Sequence, residues 1–389
     1  MTDTPVDRLR RWEKGETPGP WYVTLFPTNR CNLQCAICWQ RVYDANYSDE
    51  MPDGRLLEFV GECADLGARE WTIVGGGEPM VRADLVIRLC ERIRQRDMNG
   101  VIQTNGIVFK PEHFARLIKI GWSRLVFSID GPTREINDAI RSEGAFDRAT
   151  TTVRRLRNLK REHCAALPCL SMHSVLTNAN CDKLEELVEL AHSLGCASFA
   201  LGDLVTEGER AQLFTLREDQ RSDLPARAVR AIRRAQQLGI EENLAAFLPD
   251  ASGRAEMKTA AQCLAASPCF DPWLNIAVLA DGKVGPCCVF WDERAGNIRD
   301  ARLKDIWEGS YLGTVRQGIL QGRFPSYCAR CTATMRARSE LLRRKMQWSR
   351  MGTLHQAASL VKKAVSSTAR FGLRRAIHRG VEWFRIIKR

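Results

Sequence analysis

Six strand-like segments alternate with helix-like segments between residue 21 and about residue 239, and this alternation constrains the fold more than any other feature. Several helix-like segments end at a glycine, as helices commonly do. Consecutive βα units predict a parallel sheet with right-handed crossovers, either curled toward a barrel or doubly wound. In both arrangements, functional loops follow the carboxyl ends of the strands. The predicted strands are 21–28, 70–75, 100–104, 124–129, 170–176 and 197–201.

The pattern changes after residue 239. The segment WLNIAVLADGKVGPCC holds two apolar runs joined at Asp281-Gly282, which predicts a β-hairpin. Two short helix patterns and a closely spaced cysteine pair follow it. We therefore predict four parts: an N-terminal extension (1–20), an α/β barrel (21–245), a small α+β domain (246–338) and a helical tail (339–389).

The positive charge of the chain is concentrated at its end. Residues 341–389 carry thirteen Lys or Arg and one acid, Glu382, whereas the remainder holds 45 of each sign. A neutral body predicts no sequence-specific nucleic-acid partner. The amphipathic tail leaves four alternatives open: a membrane surface, a protein partner, RNA, or packing on its own body. No apolar run is long enough to cross a bilayer and no signal peptide is evident, so we expect a cytoplasmic protein, with peripheral membrane attachment as an open alternative.

Fifteen cysteines are many for such a chain, and three of them, Cys31, Cys35 and Cys38, lie within eight residues directly after the first strand. In a reducing compartment, clustered cysteines favour metal binding over disulfides. Three thiolates can hold one face of an iron–sulfur cube and leave its fourth iron open. The alternatives are half of a structural zinc site and three unrelated buried thiols.

The segment NRCNLQCAICW has the C-x3-C-x2-C spacing of the radical S-adenosylmethionine (SAM) superfamily, and the chain resembles that family in further motifs. Gly76, Gly77 and Glu78 resemble the GGEP motif that holds the amino group of SAM. The resemblance implies a partial (βα)6 TIM-like barrel, a [4Fe–4S] cluster on the three cysteines, and bound SAM.

Polar residues after the third and fourth strands continue this resemblance. The family uses such positions for the ribose and methionine portions of SAM, which implies Asn105 as a cofactor contact and Ser128 and Asp130 as ribose contacts. Arg141, at the end of the run NDAIR, is implied as the partner of the SAM carboxylate. A helix cap or a surface ion pair is the alternative role for each of these residues.

A second constellation comprises Cys269, Cys287, Cys328 and Cys331. It resembles the beginning of the SPASM domain, and because no cysteine follows Cys331, it resembles the shortened twitch version with one auxiliary [4Fe–4S] cluster. Four thiolates would close that cluster, which makes it an electron carrier or a structural element. A zinc ribbon with the same four ligands is the alternative.

Three further residues are candidates for contact with substrate. Strand alternation would turn Cys288 to the face opposite its neighbour Cys287, where its thiol could return a hydrogen atom to a substrate radical, so it is the catalytic candidate. Cys263 is a weaker candidate of the same kind. His173, in the fifth predicted strand, faces either substrate or the core.

The resemblance implies an enzyme in which the reduced cluster cleaves SAM, releasing a 5′-deoxyadenosyl radical that abstracts hydrogen from a substrate. A single auxiliary cluster resembles the layout of 2-deoxy-scyllo-inosamine dehydrogenases and related sugar epimerases. We therefore expect an oxidoreductase or epimerase that acts on a carbohydrate or cyclitol. A flavodoxin or ferredoxin would serve as the reductant of the enzyme. One alternative is a maturase of a ribosomally made peptide or protein, and another is a non-catalytic protein that binds metal or RNA.

Overall fold

The computed structural model describes residues 3–39, 47–206, 208–248, 269–288, 292–331, 339 and 341–346. The chain divides into two compact units, Met1–Ser339 and Glu340–Arg389. The predicted barrel and small domain therefore lie in one unit. Most of the predicted basic tail lies outside the described residues, although 341–346 are helical.

The first unit is built on a sheet of nine strands in the order β7-β6-β5-β4-β3-β2-β1-β8-β9. The strands β1 to β7 are parallel to their neighbours, as consecutive βα units require. All six predicted strands are present, with ends shifted by a few residues. The strands are β1 (Tyr22–Leu25), β2 (Glu70–Ile73), β3 (Asn99–Thr104), β4 (Arg124–Ser128), β5 (Cys169–Val175), β6 (Ser198–Gly202), β7 (Glu241–Glu242), β8 (Asn275–Val278) and β9 (Val284–Gly285).

The predicted hairpin is confirmed, because β8 and β9 are antiparallel. Its first strand also pairs in parallel with β1, with Tyr22 opposite Asn275 and Leu25 opposite Val278. The sequence gives no sign of this pairing, because the two strands lie about 250 residues apart. The small domain thus continues the sheet of the barrel.

Twelve helices accompany the strands in the described residues of the first unit. Two of them, Pro5–Glu13 and Arg134–Ile140, follow a threonine whose side chain accepts a backbone hydrogen bond, Thr4 and Thr133. The helices are α1 (Pro5–Glu13), α2 (Asp53–Asp65), α3 (Ala83–Arg94), α4 (Pro111–Lys119), α5 (Arg134–Ile140), α6 (Ala145–Glu162), α7 (Leu184–Leu194), α8 (Glu209–Gln212), α9 (Glu218–Leu238), α10 (Asp271–Leu274), α11 (Leu303–Trp307) and α12 (Ser310–Leu320).

The two faces of the parallel sheet differ in character. On one face, residues such as Leu25, Phe127 and Met172 are fully buried in a hydrophobic core shared with the helices. Burial alternates along the strands, so the residues between them lie on the other face, where many stay partly exposed. A parallel sheet covered by helices on one face only is the arrangement of a partial barrel, with its concave side available to ligands.

Helix α1 fastens the start of the chain to the segment after the hairpin. The guanidinium of Arg316 lies between two indole rings, 4.7 Å from the ring centroid of Trp12 and 4.4 Å from that of Trp307. Trp307 Nε1 donates to the carbonyl of Pro18 at 3.0 Å. The predicted N-terminal extension is therefore part of the folded unit.

Among the described residues, no helix combines the length and the apolar character that a membrane span requires.

Candidate active site

The three clustered cysteines lie on the loop that follows β1, at the carboxyl edge of the sheet. Cys31 is exposed, whereas Cys35 and Cys38 are half-buried. The loop is anchored to the end of α5, because the amide of Ala36 donates to the carbonyl of Ile140 at 2.8 Å. This anchor brings the thiols toward Arg141, which follows α5 directly.

The glycine-rich loop after β2 runs beside the beginning of the cysteine loop. The amides of Gly77 and Glu78 donate to the carbonyls of Thr28 and Arg30, both at 2.9 Å. A Cβ on Gly77 would lie 1.9 Å from the carbonyl oxygen of Arg30, so only glycine permits this approach. The structure thus places the predicted SAM-binding loop and the predicted cluster loop side by side. Gly76 lies in the same loop.

The carboxylate of Glu78 joins the loops after β2 and β3. Oε1 accepts hydrogen bonds from Thr104 Oγ1 at 2.7 Å and from the amide of Met80 at 3.0 Å, and Oε2 accepts from the amide of Asn105 at 2.7 Å. Burial raises the pKa of Glu78, and these hydrogen bonds oppose the rise. Because the carboxylate already has three protein donors and is 3% exposed, it orders the two loops. Its contact with the amino group of SAM stays a prediction.

Asn105 is buried and donates through Nδ2 to Asn32 Oδ1, within the cysteine loop, at 2.9 Å. Ser128 ends β4 on the concave face, opposite His173 of β5. Both predicted cofactor contacts therefore lie on the same edge of the sheet as the cysteines. Their contacts with SAM stay predictions.

The structure pairs Asp130 with Arg141, two residues for which the resemblance implies separate contacts with SAM. Arg141 Nε lies 2.8 Å from Asp130 Oδ2, and Asp130 Oδ1 accepts from the amide of Val175 at 2.7 Å. Asp130 has no exposed surface. Its carboxylate orients Arg141 in this structure, and contact with ribose stays a prediction.

Asn137, which carries no predicted role, supports the same pair. Its Oδ1 accepts the amide of Asp130 at 2.9 Å, and its side chain is almost fully buried. Residues four apart share one side of a helix, and this spacing from Asn137 to Arg141 is the sequence signal that would have revealed the connection.

The charges around the thiols fit a cluster and an anionic ligand. Burial raises the pKa of Cys35 to about 11, and the guanidinium of Arg141 opposes this rise. Burial likewise disfavours the charged form of Arg141, but Asp130, Cys35 and Glu78 reverse the effect and leave its pKa raised. A permanent cation near Cys31 and Cys35 favours their thiolate forms and can attract a carboxylate.

Four cysteines of the second constellation lie in the segment that contains the hairpin and α12. Cys269 lies within electrostatic range of Cys331, and Cys287 and Cys328 both lie within electrostatic range of Tyr327. All four are half-buried. This placement fits a closed site with four thiolate ligands, and the assignment of each ligand stays a prediction.

Within the part of the chain that the structure describes, no three His, Cys, Asp or Glu side chains converge on a point suited to one metal ion. A cube cluster places each thiolate on a separate iron atom, so its ligands are not expected to converge on one point.

Strand alternation does not turn Cys288 away from Cys287, contrary to the prediction. β9 ends at Gly285, so the alternation of a strand no longer fixes the directions of residues 287 and 288. Cys288 is half-buried in the turn beside a predicted ligand, and its catalytic role stays a prediction. The weaker candidate, Cys263, lies outside the described residues.

His173 projects from β5 on the concave face. A Cβ on Gly202 would lie 2.7 Å from His173 Nε2, so the glycine in β6 leaves room for the ring. Nδ1 is buried and has no hydrogen-bond partner among the described residues. Burial lowers the pKa of His173, which keeps the ring neutral near pH 7.

Two family models match the chain. A model described as "Radical SAM superfamily" matches residues 25–191, and one described as "Iron-sulfur cluster-binding domain", the SPASM domain, matches residues 269–332. The first range runs from the last residue of β1 into α7 and includes the three clustered cysteines. The second begins at Cys269 and ends just after Cys331, so it spans the predicted auxiliary ligands.

Curated relatives include two kinds of enzyme. An AdoMet-dependent heme synthase of Methanosarcina barkeri is 26% identical over 316 residues, covering 76% of this chain and 84% of the relative. The mycofactocin maturase MftC of Mycobacterium tuberculosis is 31% identical over 193 residues, covering 49% of this chain and 47% of the relative.

Solved structures share the fold. SuiB of Streptococcus suis bound to S-adenosylmethionine has a TM-score of 0.62 and 18% identity, covering 79% of this chain and 70% of SuiB. The protein anSMEcpe with bound AdoMet has a TM-score of 0.58 and 14% identity, covering 86% of this chain and 99% of anSMEcpe. The predicted α/β fold, a partial TIM-like barrel followed by a small cluster domain, is thereby confirmed.

The predicted cofactors follow from these matches. The radical SAM domain implies a [4Fe–4S] cluster and SAM, and the SPASM domain implies additional iron–sulfur clusters. The chain therefore contains a radical SAM domain followed by a SPASM iron–sulfur domain.

Proposed function

We propose that this enzyme is a maturase that modifies a ribosomally made peptide or protein. The observation that carries the proposal is the 31% identity to mycofactocin maturase over 193 residues. The relatives named above are a heme synthase and a mycofactocin maturase, so they favour this reading over the expected oxidation or epimerisation of a carbohydrate.

The concave face of the barrel supports a peptide substrate. Its side chains in β1 to β6 are mostly small or neutral and polar, among them Thr24, Thr72, Gln103 and Ser171. Such side chains can hydrogen-bond backbone amides without imposing a charge on the ligand. The charged residues of this face in the described strands are Glu70, Arg124 and Glu241, and each stands at the first residue of its strand, away from the cysteine loop.

His173 is the polar side chain that we assign to substrate. Its neighbour across the register is Ser128, and the Asp130–Arg141 pair lies within electrostatic range of its ring. A neutral imidazole offers one donor and one acceptor. Because His173 is half-buried on the concave face and its Nδ1 has no hydrogen-bond partner among the described residues, we propose that the ring exchanges a hydrogen bond with the bound peptide.

When bound, the cluster and SAM supply a carbon radical that can abstract hydrogen from an unactivated C–H bond. The task of the protein is to hold the two loops together through Gly77 and Glu78, to present Arg141 to the carboxylate of SAM, and to offer Ser128 to its ribose. We propose Cys288 as the thiol that returns hydrogen to the substrate where the outcome is redox-neutral.

A second candidate is chemistry on a tetrapyrrole. The heme synthase of Methanosarcina barkeri aligns with 76% of this chain, a longer stretch than the maturase covers. A tetrapyrrole with carboxylate substituents would call for cations on the concave face. In the described strands β1 to β7 the one cation there, Arg124, is held by Ser171 and Ser198 at 2.9 and 2.8 Å.

The remaining assignments extend this proposal. We propose the boundaries 1–20, 21–245, 246–338 and 339–389 for the extension, barrel, SPASM domain and tail. The reductant would be a flavodoxin or ferredoxin, and the basic tail would attach the enzyme to a protein partner or a membrane surface from the cytoplasmic side.

Substrate class is tested by anaerobic incubation of the reconstituted enzyme with SAM and dithionite in three arms. One arm holds a pool of synthetic peptides containing every common side chain, one holds iron coproporphyrin III, and one holds an amino-cyclitol. We expect 5′-deoxyadenosine above the substrate-free baseline, with a changed peptide mass, only in the peptide arm. A response confined to the porphyrin arm would favour the second candidate, and one confined to the cyclitol arm would overturn both.

A further inference from the structure

The carboxylate of Glu50 binds all three residues that precede Cys31, through two hydrogen bonds and one ion pair. Its Oε1 accepts hydrogen bonds from Thr28 Oγ1 at 2.6 Å and from the amide of Asn29 at 2.9 Å. Its Oε2 pairs with Arg30 Nη2 at 2.9 Å. The Glu50 side chain is only 8% exposed, and it reaches this segment from beyond the cysteine loop in sequence.

The opposite side of the same segment is held by the glycine-rich loop. Gly77 and Glu78 donate their amides to the carbonyls of Thr28 and Arg30. Inside the segment, the amide of Arg30 donates to Thr28 Oγ1 at 3.0 Å. Residues 28–30 are therefore fixed by a carboxylate on one side and by backbone amides on the other.

A second guanidinium completes the arrangement around Glu50. Arg82 Nη1 lies 3.8 Å from Glu50 Oε2 and donates to the carbonyl of Pro27 at 2.6 Å, while Nη2 donates to the carbonyl of Met51 at 3.0 Å. The Glu50 carboxylate thus lies near two guanidinium groups, those of Arg30 and Arg82. Two nearby cations keep a carboxylate ionised, and an ionised carboxylate accepts strong hydrogen bonds.

We propose that Glu50 is a positioning residue. It fixes residues 28–30 so that Cys31 is presented to the cluster in a constant relation to the glycine-rich loop that would bind SAM. The inference rests on Cys31 as a cluster ligand and not on the class of substrate. Glu50 itself touches neither the cysteines nor the predicted SAM contacts, so its effect reaches both through the segment it holds.

The first test uses the full chain without iron. In Glu50→Ala, hydrogen–deuterium exchange at the amide of Asn29 should accelerate about tenfold or more, because a charged hydrogen-bond acceptor is lost. Exchange in β4 should not change. Glu58→Gln is the matched control, since Glu58 lies on α2 with a side chain 73% exposed. Unchanged exchange at Asn29 would overturn the proposal.

The second test uses the reconstituted enzyme and a property that a general loss of stability would not move. In Glu50→Ala, the dissociation constant for SAM should rise about tenfold and the change that SAM produces in the electron paramagnetic resonance spectrum of the reduced cluster should weaken. Glu50→Gln keeps an acceptor for Thr28 and Asn29 but loses the ion pair, so it should recover part of both effects.

The outcomes separate this inference from the assignment of the enzyme. If Glu50→Ala does not fold, Glu50→Gln carries both measurements with the same expected direction and a smaller size. If the folded Glu50 variants have the same spectra and the same SAM affinity as the wild-type enzyme, the positioning role is overturned. Failure of the wild-type chain to take up iron would instead overturn the cluster assignment.

Discussion

Arg141 Nε lies 2.8 Å from Asp130 Oδ2, and the two side chains are 12% and 0% exposed. This buried ion pair lies beside the cysteine loop, joining the end of β4 to the end of α5. A cation in this position is held by a neighbour that water cannot reach, so its direction is fixed before any ligand binds. The pair links the stability of the barrel to the geometry of the candidate active site.

Breaking this pair should destabilise the fold strongly. Arg141→Ala leaves the Asp130 carboxylate buried without its partner, which we expect to lower the free energy of unfolding by about 3–5 kcal/mol. The matched control is Arg134→Ala, because Arg134 pairs with Asp147 at 2.5 Å but both side chains are at least half exposed. The control should change stability by less than about 1 kcal/mol. Urea unfolding of the iron-free chain measures both, and equal losses would contradict the prediction.

His173 should make the protein sensitive to acid. Its pKa in the folded chain lies below the ordinary value of 6.5, so the unfolded chain binds more protons and stability falls as pH drops from 6.5 toward the folded pKa. In His173→Asn this contribution vanishes, and the loss of stability between pH 7 and pH 5 should be smaller than in wild type. His113, whose pKa is also lowered, is present in both proteins and cancels. Identical pH profiles would contradict a neutral ring with a lowered pKa.

The iron content should separate the two cysteine sets. Replacing Cys31, Cys35 and Cys38 by alanine should remove one cluster and the SAM-induced change in its spectrum, while the auxiliary cluster remains. Replacing Cys328 and Cys331 should do the reverse. Cys164, which is exposed, provides the control Cys164→Ala with unchanged iron. Iron and sulfide analysis after anaerobic reconstitution checks each variant, and loss of all iron from the first would contradict two independent sites.

Among the cysteines that bind no cluster, thiol labelling should distinguish the buried thiols, which react slowly, from the exposed one, which reacts rapidly. Cys63 and Cys90 are fully buried on α2 and α3, and burial raises the pKa of Cys196 to about 12. The thiolate is the reactive form, so these three should resist a maleimide at pH 8 while Cys164 is modified rapidly. Mass spectrometry of the labelled, folded chain gives the result. Early labelling of Cys63 or Cys90 would show that α2 or α3 is misplaced.

The parts of the fold that sequence predicts are those with a local physical signal. Alternation of apolar periods located β1 to β6, and the Asp281-Gly282 turn located the hairpin of β8 and β9, because a tight turn constrains its own backbone. The pairing of β8 with β1 has no local sequence signal. The two strands lie about 250 residues apart, so their register depends on how all the intervening elements pack.

The candidate site divides in the same way. Cysteine spacing and the glycine-rich loop could be recognised because their chemistry dictates both residue type and spacing. Two contacts could not be recognised from the sequence: the pairing of Asp130 with Arg141 and the hydrogen bonds of Glu50 to residues 28–30. An acid or a base in a loop has many available partners. The concave wall of β1 to β6 was visible only as alternation, without any indication of what it contacts.

Arg316 should matter more through its shape than through its charge. It is buried between Trp12 and Trp307, no carboxylate pairs with it among the described residues, and burial lowers its pKa to about 10. Arg316→Ala removes both ring contacts and two hydrogen bonds to carbonyls, and we expect a loss of about 2–4 kcal/mol. Arg316→Met fills much of the same space without a buried charge, so it should cost far less. The exposed Arg323→Ala is the control, without a measurable effect. Urea unfolding compares the three variants. If the Met variant is as unstable as the Ala variant, the charge of Arg316, and not its shape, stabilises the packing of α1 against α11 and α12.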